Sequence, residues 1–273
     1  MVSIGEDTDL DAAFWQARDA GFSRGQVTFQ IHGLTGDEVR RAAVSARDAG
    51  FRVDAVGCYL NPLRMDDAGL TGVDSTDWRT LAENMSMLNG CERIVCWSGT
   101  FGKSLTAPNL LNAEESTFNN LFITLSGLLE QVRGLPVQIV LEPYTAHVLH
   151  NAASCARMAR KFPEGRVKMV LDAPNLIAAA QFAQRDALVQ DVIANLAPAV
   201  GLVHLKDLAL DNQKRRVFPR AGEGALDYAA YLRAIVRHLP EVPVVIEHAE
   251  TLPEMRAARG FIEGLLKEYR LSS

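Results

Sequence analysis

Hydrophobic positions along this chain follow two spacings in turn. Short apolar runs rich in Val, Ile and Leu alternate with longer segments whose apolar residues recur every three or four positions. The first spacing suits strands buried on both faces, the second helices with one buried stripe. Val2–Gly5 is the first strand candidate and Leu10–Asp19 the helix after it. Gln26–Ile31, Val53–Tyr59 and Arg93–Trp97 read as strands two to four. Helix two opens at Thr35-Gly-Asp-Glu38, a capping box in which Thr35 and Glu38 satisfy each other's free N–H groups, and closes at Gly50. Helix three puts Trp78, Leu81, Met85 and Leu88 on one face, expected to be core. Helix four runs from Glu114 to Val132. A second capping box, Thr251 with Glu254, starts the last helix, whose stripe is Met255, Ala258, Ile262, Leu265 and Tyr269.

The remaining four apolar runs each end in a polar residue. They are Val-Gln-Ile-Val-Leu-Glu142, Val-Lys-Met-Val-Leu-Asp172, Val-Gly-Leu-Val-His204 and Val-Pro-Val-Val-Ile-Glu247. The separations of 30, 32 and 43 residues are each about one strand-helix unit. Eight such alternations with no break in composition predict one domain, residues 1–273, folded as a single (β/α)8 TIM barrel with parallel strands and right-handed crossovers. An open doubly wound sheet would want a Gly-rich turn after strand one, and the sequence has none there. Any one carboxylate at a strand end can be a helix cap. Four polar residues on four successive strands converge on the catalytic end of a barrel. Three carboxylates and one imidazole suit Mn²⁺, Mg²⁺ or Co²⁺ better than a structural zinc.

Composition narrows the classes. A net charge of −5 over 273 residues argues against a nucleic-acid binder, which would carry a basic face. No apolar run approaches the length needed to span a bilayer, and the first residues lack the basic and apolar regions of a signal peptide. Cys58, Cys91, Cys96 and Cys155 show no metal-type spacing and are expected to be buried reduced thiols. These readings together predict a cytoplasmic protein.

A metal at this site would hold two oxygens of a polyol or hydroxyketone and acidify the C–H beside the carbonyl. Glu142 and Glu247, from non-adjacent strands, would flank the substrate as acid and base, while Asp172 and His204 act mainly as ligands. A metal-bound His also donates its other ring N–H to an acceptor, which the sequence does not identify. The polar stretch from Leu208 to Asp227, with Lys214, Arg215, Arg216 and Arg220, is either a substrate-covering loop or a solvated basic turn. His147 and His150 are assigned to the loop and first turn of helix five. His248 is expected on the far side of its strand if that strand continues, and His32, ending strand two, is a candidate substrate contact.

With these residues in view, the chain resembles the xylose isomerase-like barrel superfamily, in particular the sugar phosphate isomerase/epimerase group. The landmarks are Gly57-Cys-Tyr-Leu-Asn61-Pro, Val95-Cys-Trp97-Ser-Gly, Leu141-Glu142-Pro, Leu171-Asp172, Val203-His204-Leu-Lys206-Asp207, Gly222-Glu-Gly224-x-x-Asp227 and Ile246-Glu247-His248. The resemblance implies a divalent metal held by Glu142, Asp172, His204 and Glu247, with the two Glu residues as the acid/base pair. It also implies Asn61, Trp97 and Lys206 near the substrate. Ketose 3-epimerases of this group have a His where Asn175 stands, and an Arg shortly after the metal His that is missing here. Asn175 can hydrogen-bond a substrate hydroxyl but cannot titrate.

The expected function is a metal-dependent isomerase or epimerase of a sugar, sugar acid or cyclitol. It would work by proton abstraction beside a carbonyl and a metal-bound enediolate. A lyase dehydrating a keto-inositol or keto-sugar would use the same site. A non-catalytic ligand-binding barrel and an endonuclease IV-like hydrolase are minor alternatives; the latter needs more His ligands than the six residues of that type supply. The expected partner is a small carbohydrate, with no nucleic acid and no membrane. Pairing of outer helices into a homo-oligomer is common in such barrels.

Overall fold

The computed structural model describes residues 1–5, 7–31, 33–65 and 75–271. Eight parallel strands form one curled sheet with the helices outside it. The strands are β1 (Val2–Ile4), β2 (Arg24–Phe29), β3 (Arg52–Gly57), β4 (Arg93–Trp97), β5 (Gln138–Glu142), β6 (Val167–Leu171), β7 (Val200–Leu205) and, after a small separate hairpin of β8 (Ala209–Leu210) and β9 (Arg216–Val217), β10 (Val244–Ile246). Neighbours in the sheet follow chain order, as successive strand-helix units require. The two ends of the sheet meet where the Met1 nitrogen donates to Ile246 O at 3.0 Å. The predicted (β/α)8 barrel is the fold observed. The helices are α1 (Leu10–Asp19), α2 (Gly36–Asp48), α3 (Ser75–Asn84), α4 (Glu115–Gln131), α5 (Ala152–Ala159), α6 (Arg185–Leu196), α7 (Tyr228–His238) and α8 (Leu252–Leu271).

Local chemistry sets the helix ends. At α2 the Thr35 N–H donates to Glu38 Oε2 at 2.6 Å and the Glu38 N–H to Thr35 Oγ1 at 3.3 Å, completing the capping box. Gly50 closes the helix at φ 64°, where a side chain would be strained. Trp78, Leu81, Met85 and Leu88 are buried, although regular helix ends at Asn84 and the last two lie on and just after a 3₁₀ turn. The four cysteines are buried and free. Among the described residues, no helix is long and apolar enough to cross a membrane.

Two layers inside the barrel decide where chemistry can occur. Ala55, Val95, Val140, Val170, Leu202 and Val245 form a dry ring in the interior, separate from the larger core between sheet and helices. Inward positions recur every second residue along a strand. Two residues further along, the same strands carry Gly57, Trp97, Glu142, Asp172, His204 and Glu247. The apolar ring is thus the floor of a polar ring at the C-terminal mouth. A register shift between Met169 and Val170 sets Val170 opposite Leu202.

Candidate active site

The four polar strand-end residues are all buried. Ligand-type atoms of Glu142, His204 and Glu247 lie within 4.8 Å of one another. His204 Nδ1 is 3.0 Å from Glu247 Oε1 and 3.4 Å from Glu142 Oε2, yet aligned for a hydrogen bond to neither. Asp172 falls outside this group of three. Its Oδ2 accepts from Lys206 Nζ at 2.5 Å and from Asn175 Nδ2 at 2.8 Å. Lys206 also reaches Glu247 Oε2 at 3.1 Å, and Asn175 reaches Glu142 Oε1 at 3.0 Å. Lys206 and Asn175 therefore tie the acidic residues to one another.

Buried polar atoms normally have partners. Glu142 Oε2, Asp172 Oδ1 and His204 Nδ1 have none among the described residues. Glu142 Oε2 and His204 Nδ1, left open 3.4 Å apart, are donors of the kind a divalent cation takes, and Asp172 Oδ1 is a third open carboxylate oxygen in the same polar ring. The residues fit a metal.

Electrostatics here are tightly coupled. Burial pushes Asp172 up to about 7, and Lys206 offsets part of that rise. Burial disfavours the charged forms of His204, Glu247 and Lys206 as well. For these three the neighbouring opposite charges win: His204 rises to about 10, Glu247 falls well below its ordinary range and Lys206 rises above its own.

Aromatic rings wall the mouth. Tyr59 and Trp97 pack with centroids 4.9 Å apart, and the edge of His147 meets Trp97 at 5.5 Å. Across the mouth, Phe218 meets Tyr144 at 6.2 Å and lies 5.2 Å from Lys206 Nζ. Phe218 follows the hairpin β8 (Ala209–Leu210) and β9 (Arg216–Val217). The basic residues of the 208–227 stretch divide between solvent and the body of the protein. Lys214 and Arg215 are exposed on the turn, whereas Arg216 stacks on Tyr144 and donates to Asn175 O, Ile177 O and Thr145 Oγ1. The base of the loop is held by Asp207, whose carboxylate accepts from the N–H groups of Leu208, Gly222 and Leu226. A Cβ on Gly224 would collide with that carboxylate.

The other expected contacts separate in space. Trp97 lines the mouth, and its Nε1 has no partner among the described residues. Asn61 joins two loops: its Nδ2 donates to Thr100 O at 2.8 Å and its Oδ1 accepts from the N–H groups of Thr100 and Leu63, both at 3.2 Å. Asn175 spends its amide N–H groups on Glu142 and Asp172. His32 lies outside the described residues. For His248 the condition of a continuing strand is not met, since β10 ends at Ile246 and His248 turns at φ 57°. It lines, with Glu247, Ser3, Gln16 of α1 and Met255 of α8, a cavity of about 520 Å³ beside β1. Two interior residues escaped the sequence reading. Gln26 and Thr28 face inward on β2, and Gln26 Oε1 accepts from His204 Nε2 at 2.9 Å. The signal was present, since Gln26, Thr28 and Gln30 form a polar period of two.

His147 belongs to the framework of this site. Its Nδ1 accepts from Ser98 Oγ at 3.0 Å and its Nε2 donates to Leu105 O at 2.8 Å. Burial brings its pKa down from 6.5 to about 4. The unfolded chain therefore takes a proton at a higher pH than the folded one. The stability held by the neutral ring is complete above pH 6.5 and is lost as pH falls toward about 4, roughly 3 kcal/mol in all. Urea unfolding across that window should follow this slope, and His147→Gln should flatten it.

Solved structures of similar shape place the fold. A xylose isomerase-like TIM barrel protein from Mycobacterium smegmatis, in complex with magnesium, has a TM-score of 0.69 at 13% identity, covering 96% of this chain and 90% of its own. The 3-keto-D-glucoside 4-epimerase from E. coli has a TM-score of 0.67 at 17% identity, covering 97% and 99%. The probable 3-DHS dehydratase of petrobactin synthesis from Bacillus anthracis has a TM-score of 0.68 at 13% identity, covering 96% and 98%. No curated protein matches the sequence. The model of the xylose isomerase-like TIM barrel family matches residues 14–265, nearly the whole barrel and all four polar strand ends, and the chain belongs to that family.

Proposed function

We propose that the chain is a divalent-metal-dependent isomerase or epimerase of a small carbohydrate, a sugar, sugar acid or cyclitol, with the barrel 1–273 as its catalytic domain. The observation that carries this reading is the meeting of Glu142, His204 and Glu247, with Glu142 Oε2 and His204 Nδ1 open, in the polar ring of an aromatic-walled mouth. Glu142, Asp172, His204 and Glu247 would hold Mn²⁺, Mg²⁺ or Co²⁺. The bound ion would polarise the substrate carbonyl and acidify the neighbouring C–H.

The side chains supply the rest. Lys206 Nζ, 3.1 Å from Oε2, favours the ionised form of Glu247, whose carboxylate would accept a proton from carbon. Glu142 enters from β5 with Oε2 free of hydrogen bonds, and would return a proton on another side of the substrate. Asn175 keeps Glu142 beside Asp172 and does not itself titrate. The rings of Tyr59, Trp97, Tyr144 and Phe218 offer apolar faces to the C–H side of a sugar and exclude water from the carbanion-like centre.

A lyase is the second reading, supported by the dehydratase among the similar structures. It begins with the same proton abstraction and continues with loss of a β-hydroxyl. The test is hydrogen exchange in D₂O. The Mn²⁺-loaded protein, incubated with ketoses, keto-inositols and 3-keto-glycosides, should place deuterium beside the carbonyl of its substrate, and EDTA should stop this. An unchanged product mass apart from deuterium supports the isomerase or epimerase, and loss of water the lyase. EDTA-resistant exchange would sink the metal-dependent reading.

A further inference from the structure

His204 has two ring nitrogens, and only one faces the acidic residues. The other, Nε2, lies 2.9 Å from Gln26 Oε1 inside the barrel, with both residues fully buried. An amide could present either end to the ring, and its surroundings decide which. Gln26 Nε2 lies 3.0 Å from the Tyr59 hydroxyl and 3.1 Å from Thr28 Oγ1. A hydroxyl can accept or donate, but the Met1 thioether, 3.8 Å from the same nitrogen, only accepts; it marks that end as the N–H end and leaves the carbonyl for the imidazole. Burial and the nearby Glu142 push the Tyr59 phenol well above its ordinary pKa, so it stays a neutral hydroxyl.

The backbone makes room for this arrangement. A Cβ on Gly57 would sit 2.7 Å from Thr28 Oγ1 and 2.9 Å from Gln26 Nε2, so any larger residue would push the pair apart. A register shift between Gly25 and Gln26 sets Gln26 opposite Ala55, on the inward side.

We propose that Gln26 is the positioning residue of His204, its carbonyl holding the proton on Nε2 so that Nδ1, beside Glu142 and Glu247, is the nitrogen that gives up its proton to a metal. The inference rests on the reading of His204 as a metal ligand. A carbonyl only accepts, so Nε2 must carry hydrogen, and a metal ligand needs its other nitrogen bare. A reversed amide would put an N–H against Nε2 and favour the proton on Nδ1. Because Gln26 is neutral, it fixes the ring without adding a negative charge to the three carboxylates already there.

Two readouts test this on the whole protein. Calorimetric titration with Mn²⁺ alone should show Gln26→Leu binding about 10–100-fold more weakly than wild type. Gln26→Glu keeps an acceptor and should bind at least as tightly as wild type. In EDTA-treated protein, ¹⁵N-edited NMR should show a slowly exchanging Nε2 proton on His204 that disappears in Gln26→Leu. Should Gln26→Leu fail to fold, Tyr59→Phe removes one hydroxyl from the amide and should give the same two changes at smaller size. A folded variant with unchanged Mn²⁺ affinity and an unchanged ring proton overturns the proposal. Wild-type protein that binds no Mn²⁺ overturns the metal reading instead. In that event the ring proton still decides: its loss in Gln26→Leu supports the positioning role, and its persistence refutes it.

Discussion

Glu247→Gln is expected to slow the metal-dependent hydrogen exchange by about 10³-fold, the scale of a lost general base. The amide nearly matches the carboxylate in shape, so Lys206 Nζ, 3.1 Å from Oε2 in the native protein, keeps an oxygen to bond. What disappears is a group able to take a proton from carbon. Glu142→Gln should lose a similar factor in net turnover for the same reason at the other side of the substrate. Exchange should distinguish the two if one Glu removes the proton and the other returns it. The variant lacking the base loses exchange altogether, while the other still exchanges deuterium into substrate and makes little product. Single-turnover measurements in D₂O, paired with Mn²⁺ titration to establish equal metal loading, provide the check. Turnover within tenfold of wild type in both fully loaded variants would remove the Glu pair from the mechanism.

Lys206→Met should cost the EDTA-treated protein about 3–5 kcal/mol of unfolding free energy, the range seen when one partner of a buried ion pair is removed. Lys206 is only 5% exposed and bonds Asp172 and Glu247 together, so its loss leaves two buried carboxylates with too little positive charge. The loss should depend on pH. Asp172 already titrates near 7 because burial disfavours its charge, and without Lys206 it rises further. A carboxyl whose folded pKa is raised holds its proton more tightly when folded, so it stabilises most at acid pH and least once the pH passes its folded value. Urea midpoints of the variant should therefore approach those of wild type as pH falls from 8 to 5. Added Mn²⁺ should also narrow the gap, since without Lys206 competing for Asp172 and Glu247 the ion binds the folded variant more tightly than wild type and stabilises it more. A variant as stable as wild type at pH 8 in EDTA would show that Lys206 does not hold the acidic residues in place.

Glu142, Asp172, His204 and Glu247 could be read from sequence for a physical reason. Parallel strands covered on both faces are continuous apolar runs, so the polar residue that ends each one stands out. The strands at the other side of the barrel give a weaker signal. In Arg24-Gly-Gln-Val-Thr-Phe29 polar and apolar residues alternate, and the strand begins two residues before its apolar part suggests. The polar half of that alternation faces the barrel interior, which hid Gln26 although the same period-of-two rule would have found it. Asn61 illustrates a different limit. A motif places a residue along the chain, whereas hydrogen bonding to Thr100 and Leu63, set by how two loops pack, determines where its amide is spent. Asp172 likewise stands apart from the other three because Lys206 and Asn175 draw on its carboxylate, a pull no spacing rule reveals.

One corner of the mouth has a bearing on what the barrel can hold. Barrel enzymes frequently cradle a phosphate in backbone amides of the loops after strands seven and eight. Here amides of the loop after β7 already hold an anion, the carboxylate of Asp207, which Leu208, Gly222 and Leu226 clasp in a collar of N–H groups. That collar is shut by the chain itself. A phosphoryl group arriving there would meet a buried carboxylate and find those three donors taken.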